Sequence, residues 1–311
     1  PFKYDSRNYN SVSDNDIATI NKDKAGNIWI ATATGTLDKF DNNTSEFYHY
    51  FISQSAELNT DSADAEGISI IYDMYIDQKD LIWFVSKYGY LNSFNPQKNV
   101  LNTYKFEKIS SDINSCSIIE DTKNRIWIGR ELGGLLCFNK KTKSHKIYNK
   151  ENGLPDETVG AILEDDKGFL WMRTGTAICK FDPVNESFNV YELDNGYQKF
   201  NRSGAWKSER TGEMFFAGDD GFYIFHPDSV KDNLIPPKIV LTDFRILDKS
   251  VKVGKDTPLK KHISVVDEVT LEHWQNDFTL EFAALHYKNP SRNQHKYKLS
   301  GYEEDWRTAD A

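Results

Sequence analysis

Short runs in which apolar and polar residues alternate with a period of two fill the first two-thirds of the chain, each closed by turn-forming residues. Period two marks a β-strand, whose successive side chains point to opposite faces. One stretch shows the grammar. Val159, Ala161 and Leu163 alternate with Gly160, Ile162 and Glu164 and predict a first strand over 157–165. Asp165-Asp166-Lys167-Gly168 predicts a tight turn with glycine where a positive φ is needed. A second strand follows over 169–173, a third over 177–181, and a fourth over 188–191 after Asp182-Pro183.

The same four strands are written five times. Trp29, Trp83, Trp127, Trp171 and Phe215 stand 54, 44, 44 and 44 residues apart. Nine positions before them lie Ile20, Met74, Ile118, Ile162 and Trp206, and six before lie the acids Asp23, Asp77, Asp121, Asp165 and Glu209. Three before come the turn formers Gly26, Asp80, Asn124, Gly168 and Gly212. Phe40, Phe94, Phe138, Phe181 and Phe225 follow ten or eleven positions later, and Tyr50, Tyr104, Tyr148 and Tyr191 close the first four units. A period in the forties with four short strands per unit predicts an all-β fold of five β-propeller blades. One such sheet cannot hide both of its faces, so blades are stable only when stacked.

Departures from the frame are informative. The ten extra residues between Trp29 and Trp83 fall at 54–66, a polar stretch read as a surface loop. Phe2-Lys3-Tyr4 reads as an outermost strand, while the fifth unit has none after Phe225-His226-Pro227-Asp228. The N-terminal strand would then complete the fifth blade, or further blades precede this stretch in a larger ring; the absence of a capping feature favours the larger ring. Beyond Pro236-Pro237 the frame is lost. Longer alternating runs over 238–251, 265–271, 278–286 and 296–302, with a turn cluster at 288–291, predict part of an antiparallel sandwich. The expected domains are a propeller over 1–233 and a truncated sandwich over 234–311.

Composition narrows the functions open to such a chain. A formal net charge of −9 argues against a basic face for nucleic acid. No run approaches the ~18 apolar residues of a membrane span. Cys116, Cys137 and Cys179 have neither metal-ligand spacing nor an even count, and read as small buried apolar residues.

Candidate chemistry is sparse. The recurring acids invite calcium, but each turn offers one or two oxygens where calcium needs six or more, so turn hydrogen bonding is the expected role and no metal or cofactor is expected. No nucleophile elbow, HExxH or phosphate loop occurs. A propeller glycosidase or lyase, with acids drawn from several blades, is the enzymatic alternative, and Asp14, Asp16, Asp156 and Glu157 are the acids at the starts of inner strands. Turns between second and third strands vary most. There Lys87, Tyr88, Arg130, Glu131 and Arg173 are candidates to bind a polar ring-shaped ligand, against the plain reading of solvated loop residues. Trp206 replaces an aliphatic residue; a packed core role is expected before a stacking one.

These residues resemble a known family. Asp23-Lys24-Ala25-Gly26-Asn27-Ile28-Trp29, Asn124-Arg125-Ile126-Trp127 and Asp165-Asp166-Lys167-Gly168-Phe169-Leu170-Trp171 are similar to the two-component-regulator propeller repeat, as is the linking run Glu151-Asn152-Gly153-Leu154-Pro155-Asp156. Phe225 to Val230, followed by Pro236 to Phe244, resembles the passage into the triple-tyrosine, immunoglobulin-like domain of such regulators. Phe282 to Pro290 and Tyr297 to Trp306 resemble the start of that domain. The resemblance implies the periplasmic sensor region of a Bacteroidetes hybrid two-component system: propellers that are usually seven-bladed, a sandwich, then a membrane helix and a histidine kinase outside this stretch. It further implies an oligosaccharide ligand, homodimerisation, control of polysaccharide-utilisation genes, and no catalytic residue in this stretch. A plain protein-interaction scaffold is the third reading.

Overall fold

Alternation becomes sheet in each of the five repeats. The computed structural model describes residues 2–52, 57–58, 70–106, 115–175, 177–192, 204–218, 221–231, 238–285 and 296–308. Blade 1 comprises β1 (Ile17–Lys22), β2 (Ile28–Thr32), β3 (Thr36–Asp41) and β4 (Glu46–Phe51). The two-residue strand β5 (Glu57–Leu58) joins blade 2, formed by β6 (Ile71–Ile76), β7 (Ile82–Ser86), β8 (Leu91–Asn95) and β9 (Val100–Tyr104). Blade 3 holds β10 (Ser115–Glu120), β11 (Arg125–Arg130), β12 (Gly134–Asn139) and β13 (His145–Tyr148). Blade 4 holds β14 (Val159–Glu164), β15 (Leu170–Thr174), β16 (Ala177–Asp182) and β17 (Ser187–Glu192). Blade 5 has three strands, β18 (Ala205–Lys207), β19 (Met214–Gly218) and β20 (Gly221–Phe225). All are antiparallel meanders.

The recurring acid works within its own turn. Asp165 Oδ1 accepts the backbone N–H groups of Lys167 and Phe169, and its Oδ2 accepts the Trp171 indole N–H at 2.8 Å. Asp23, Asp77 and Asp121 hold Trp29, Trp83 and Trp127 in the same way, at 3.0, 3.1 and 2.7 Å. The turn former three residues before each tryptophan takes positive φ, as Gly26, Asp80, Asn124 and Gly168 do. A buried indole N–H needs an acceptor, and a carboxylate fixed by backbone donors supplies one. Blade 5 departs from this. Its turn opens at Ser208, not at Glu209 as the spacing suggested, because Ser208 N–H reaches Glu213 O across one extra residue. The Phe215 side chain has no N–H to satisfy.

Stacking follows from strand alternation. Trp29, Ala31 and Leu37 of blade 1 meet Ile82, Phe84 and Phe94 of blade 2 in one core. Trp127 and Leu135 meet Leu170, Met172 and Phe181 likewise, and Trp171 and Ile178 meet Met214 and Phe216. Each tryptophan also contacts the tyrosine of its own outermost strand, and Trp83, Trp127 and Trp171 contact the phenylalanine of the next blade: Trp171 lies 5.5 Å from Tyr191 and 4.9 Å from Phe225, centroid to centroid. Neighbouring inner strands are stitched by side chains, Asn21 Nδ2 donating to Met74 O at 2.8 Å and Ser117 Oγ to Gly160 O at 2.6 Å.

Several expectations need correction. Phe2-Lys3-Tyr4 forms no strand; Phe2 packs on Phe40 and Phe47 of blade 1, and Asn10 accepts Phe47 N–H through its side-chain oxygen. The residues before β1 therefore lie over blade 1, where Val12 joins Ile30 and Phe47 in a small core. Most of the 54–66 insertion lies outside the described residues, but β5 within it pairs in parallel with Val100 and Leu101. Unpaired edge groups on β9 explain that capture.

The chain divides into two compact units, Pro1–Lys231 and Asp232–Ala311. The second holds β21 (Lys238–Ile246), β22 (Lys249–Ser250) and β23 (Phe278–Leu285) in one sheet with β21 central, and a two-stranded pair, β24 (Lys296–Tyr297) with β25 (Arg307–Thr308). Leu247 and Asp248 both take positive φ, which turns β21 into β22 as a tight hairpin. The expected strand at 265–271 is instead the end of a 3-10 turn, Ile263–Val265, followed by irregular chain; Ile263 and Leu259 pack on Phe244 while Val269 and Leu271 only flank that core. Pro236-Pro237 and the 288–291 turn lie outside the described residues.

Candidate functional site

By topology, turns from second to third strand and connections from blade to blade share one face. On blade 2, that face begins with the 3-10 turn Lys87–Gly89, held where Lys87 N–H donates to Ile70 O and Ser86 N–H to Tyr90 O. Lys87 is half-buried, and the side chain of Tyr88 lies outside the described residues. On blade 3, Arg130 ends β11 and Glu131 is half-buried in the following turn, where Leu132 and Gly134 take positive φ. Gly134 N–H donates to Glu157 O at 2.7 Å, and a Cβ at Gly134 would sit 2.2 Å from Tyr148 O, so only glycine permits that approach.

Neither arginine is a solvated loop residue. Arg173 is buried, and its guanidinium donates to the Ala217 carbonyl, a cross-blade contact from β15 to β19. Arg130 is 2% exposed and donates through Nη2 to the Gly133 carbonyl of its own turn. Burial pulls its pKa down to about 10, with the Glu157 charge opposing. Lys87 and Arg130 border the junction of blades 2 and 3, whereas Arg173 belongs to the junction of blades 4 and 5. Trp206 is separate from all of them. It is 59% exposed, against the expected core role, and stands over Phe215 on the outer face of blade 5 with its ring 5.3 Å away.

Three of the four inner-strand acids are occupied locally, and Asp16 is exposed. A backbone N–H from Asp16 holds the Asp14 carboxyl below its usual range, Asp156 accepts Thr158 N–H, and Glu157 accepts Lys150 N–H. Among the described residues no cluster of three or more His, Cys, Asp or Glu is arranged to hold a metal ion. Asp73 escaped notice in the sequence. Its position in the frame holds Thr19, Ser117, Ala161 and Ala205 in the other blades. Half-buried on β6, it accepts Ile118 N–H from blade 3 at 3.0 Å and Met74 N–H at 2.9 Å, and desolvation raises its pKa to about 6. A lone acid among small residues at one frame position was the available signal.

Comparison with known proteins fits this architecture. Residues 11–34 and 153–176 match the two component regulator propeller family. A 138-residue stretch is 28% identical to Histidine kinase P4 of Formosa agariphila, covering 43% of this chain and 10% of that protein. Among solved structures, the extracellular domain assigned to a hybrid two-component system of B. thetaiotaomicron superposes with a TM-score of 0.67 at 23% identity, covering 95% of this chain and 39% of that one. A streptogramin B lyase shares the fold at 16% identity, with a TM-score of 0.53 over 74% of this chain and 75% of its own. The chain thus spans less than half the length of the two-component relatives it matches.

Proposed function

We propose, from a chain that carries two-component-regulator propeller repeats, that it is part of the extracytoplasmic ligand-sensing region of a hybrid two-component system. What carries this reading is that the repeats occur within an architecture that, across both units, is similar to an extracellular domain assigned to such a system. The histidine kinase relative supports the same assignment. No helix among the described residues is long and apolar enough to cross a membrane, and anchoring is assigned to a segment outside this stretch.

In this reading the region sits in the periplasm, binds an oligosaccharide on its variable loop face, and acts as a homodimer. Ligand shifts the population of two protomer arrangements by its differential affinity for them, and the kinase outside this stretch reads the shift. Expression of polysaccharide-utilisation genes is the output. Membranes carrying the full-length protein test it: autophosphorylation should change with at least one candidate glycan, and an identical signal with every glycan and with none overturns the sensing role. A catalytic propeller is the competing reading, because a streptogramin B lyase shares the blade architecture. New reducing ends or unsaturated products from polysaccharides incubated with the chain would replace the sensor reading with that one.

A further inference from the structure

One cross-strand pair on the third and fourth strands changes chemistry from blade to blade. In blade 3 it is Leu136 opposite Ile147, and Leu136 packs with Trp83 and Val85 of blade 2. In blade 4 it is Cys179 opposite Val190, and Cys179 packs with Trp127 and Leu135 of blade 3. Blade 2 has a polar, uncharged pair, Asn92 opposite Thr103, whose hydroxyl donates to Asn92 Oδ1 at 2.8 Å. Blade 1 holds Asp38 opposite His49, with ring Nδ1 2.7 Å from Asp38 Oδ1. Both side chains are buried, at 0% and 5% exposed. Blades 3 and 4 show that an apolar pair fits this slot, and apolar residues in place of a buried ion pair are often neutral or stabilising. Blade packing alone does not account for Asp38 and His49.

Their other partners lie in the strap that precedes β1. His49 Nε2 is 2.8 Å from the Tyr9 carbonyl oxygen, and Asp38 Oδ2 accepts Ser13 N–H at 2.7 Å. Between these two points Asn10 Oδ1 accepts Phe47 N–H, and Val12 packs with Ile30 and Phe47. The strap runs on to the turn between β2 and β3, where Asp14 accepts the Thr34 hydroxyl and Asp16 O accepts Ala33 N–H. Facing the His49 ring are the Asp38 carboxyl from β3, the Tyr9 carbonyl and ring from the strap, and the Phe47 and Phe51 rings of its own strand. Among the described residues Asp38 is the one charged group bonded to the ring.

A backbone carbonyl only accepts a hydrogen bond, and so does a carboxylate. Neutral imidazole carries one N–H and one bare nitrogen, so it serves one of these partners and sets a lone pair against the other. Two protons satisfy both contacts, one on Nε2 and one between Nδ1 and Asp38 Oδ1.

We infer that Asp38 and His49 form a proton-operated latch, in which the doubly protonated pair fastens the Tyr9 end of the strap to blade 1 and loss of one proton releases it. Histidine side chains change charge between about pH 5 and pH 8, so the latch is closed at the acidic end of that range and open at the alkaline end. Its contribution to stability is present at low pH and is lost as pH rises. Neutral His49 still donates from Nδ1 to Asp38, and Ser13 stays bonded to Asp38, so release is confined to the Tyr9 end.

The 311-residue chain tests this as parent, as His49→Gln and as the double variant Asp38→Leu/His49→Ile, which copies the pair of blade 3. Nitrogen-15 spectra of the parent should show both His49 ring nitrogens protonated near pH 5 and one near pH 8. Tyr9 is 74% exposed, so chymotrypsin cleavage after it reports release of the strap. Its rate, divided by that of the double variant at the same pH to cancel the protease's own pH dependence, should rise at least about fivefold over this range. The parent's urea midpoint should fall relative to the double variant's over the same range. His49→Gln keeps a polar side chain without a titrating proton, and its Tyr9 cleavage, against the same reference, should be flat with pH. A His49 ring that keeps the same number of protons from pH 5 to pH 8 overturns the latch. So does Tyr9 cleavage that follows one pH course in parent and His49→Gln, or a double variant whose Tyr9 is as protected as the parent's near pH 5.

Discussion

Blades 4 and 5 are adjacent copies of one repeat, yet they bury their outward faces very differently. In blade 4, Trp171 is 1% exposed, bonded to Asp165 and sandwiched between Tyr191 and Phe225. In blade 5, Phe215 takes the tryptophan's place, the turn is one residue longer, and a fourth strand is absent among the described residues. On the face carrying Phe215, Trp206 is 59%, Phe222 73% and Ile224 55% exposed. The difference teaches that a blade's own sequence supplies apolar residues, but the following blade supplies their burial. It also shows that the acid and the indole belong together: where the N–H is lost, the acid leaves its place.

Truncation should expose that contrast first. Trp171→Ala removes a side chain held between Tyr191 and Phe225 and is expected to lose about 3–5 kcal/mol. Phe215→Ala, on the more open face, should cost less than half as much. Urea midpoints of the two variants decide it, and equal losses would show that the two faces are equivalent in solution.

Asp73 sharpens the comparison between blades whose inner strands differ in one side chain. Its folded pKa is raised to about 6 from 3.8, so the folded state keeps the proton longer than the unfolded chain. The sign follows: this group's contribution is most favourable below about pH 4 and declines as pH rises through about 6. The full span is on the order of 3 kcal/mol at 1.36 kcal/mol per unit. Asp73→Asn should flatten the stability profile between pH 4 and pH 7 relative to the parent. Parallel profiles from chemical denaturation at several pH values would refute it.

The smallest effect is expected at the rim. Lys146 and Glu186 pair between blades 3 and 4 at 2.6 Å, but both side chains are about half exposed. Exposed pairs contribute little because water and salt screen them. Lys146→Ala should leave the urea midpoint within measurement scatter, whereas a clear drop would make rim pairing part of what holds blades together.

The fold was legible because its cause is local and repeated. Alternation within 157–191 and the spacing of the four tryptophans place strands to within about two residues, and the Asx turn follows from one acid and one turn former. Failures occurred where another element competes for the segment. Phe2 could not be assigned to its partner, since an aromatic at a strand-like position packs on whichever apolar face is nearest, here Phe40 and Phe47. Val265 to Leu271 alternates well but packs as irregular chain beside Phe244 and has no strand partner.

The candidate site was less legible. Lys87, Tyr88, Arg130, Glu131 and Arg173 stand out as variable polar residues in a fixed frame, but that pattern cannot tell a loop arginine in water from one closed inside. Side-chain direction at a strand end decides it, and this depends on what the neighbouring blade presents. Arg173 meets the Ala217 carbonyl of the next blade, and Arg130 bends to the Gly133 carbonyl of its own turn.

The sequence by itself determined the blades, their order, the turn chemistry of each aspartate and the change of architecture after Val230. These rest on contacts within a few dozen residues. Only the tertiary structure decided which faces are covered, that Asp73 is shared between neighbouring blades, and that Arg130 and Arg173 are closed inside. Burial and desolvation are properties of neighbours, and neighbours are set by stacking.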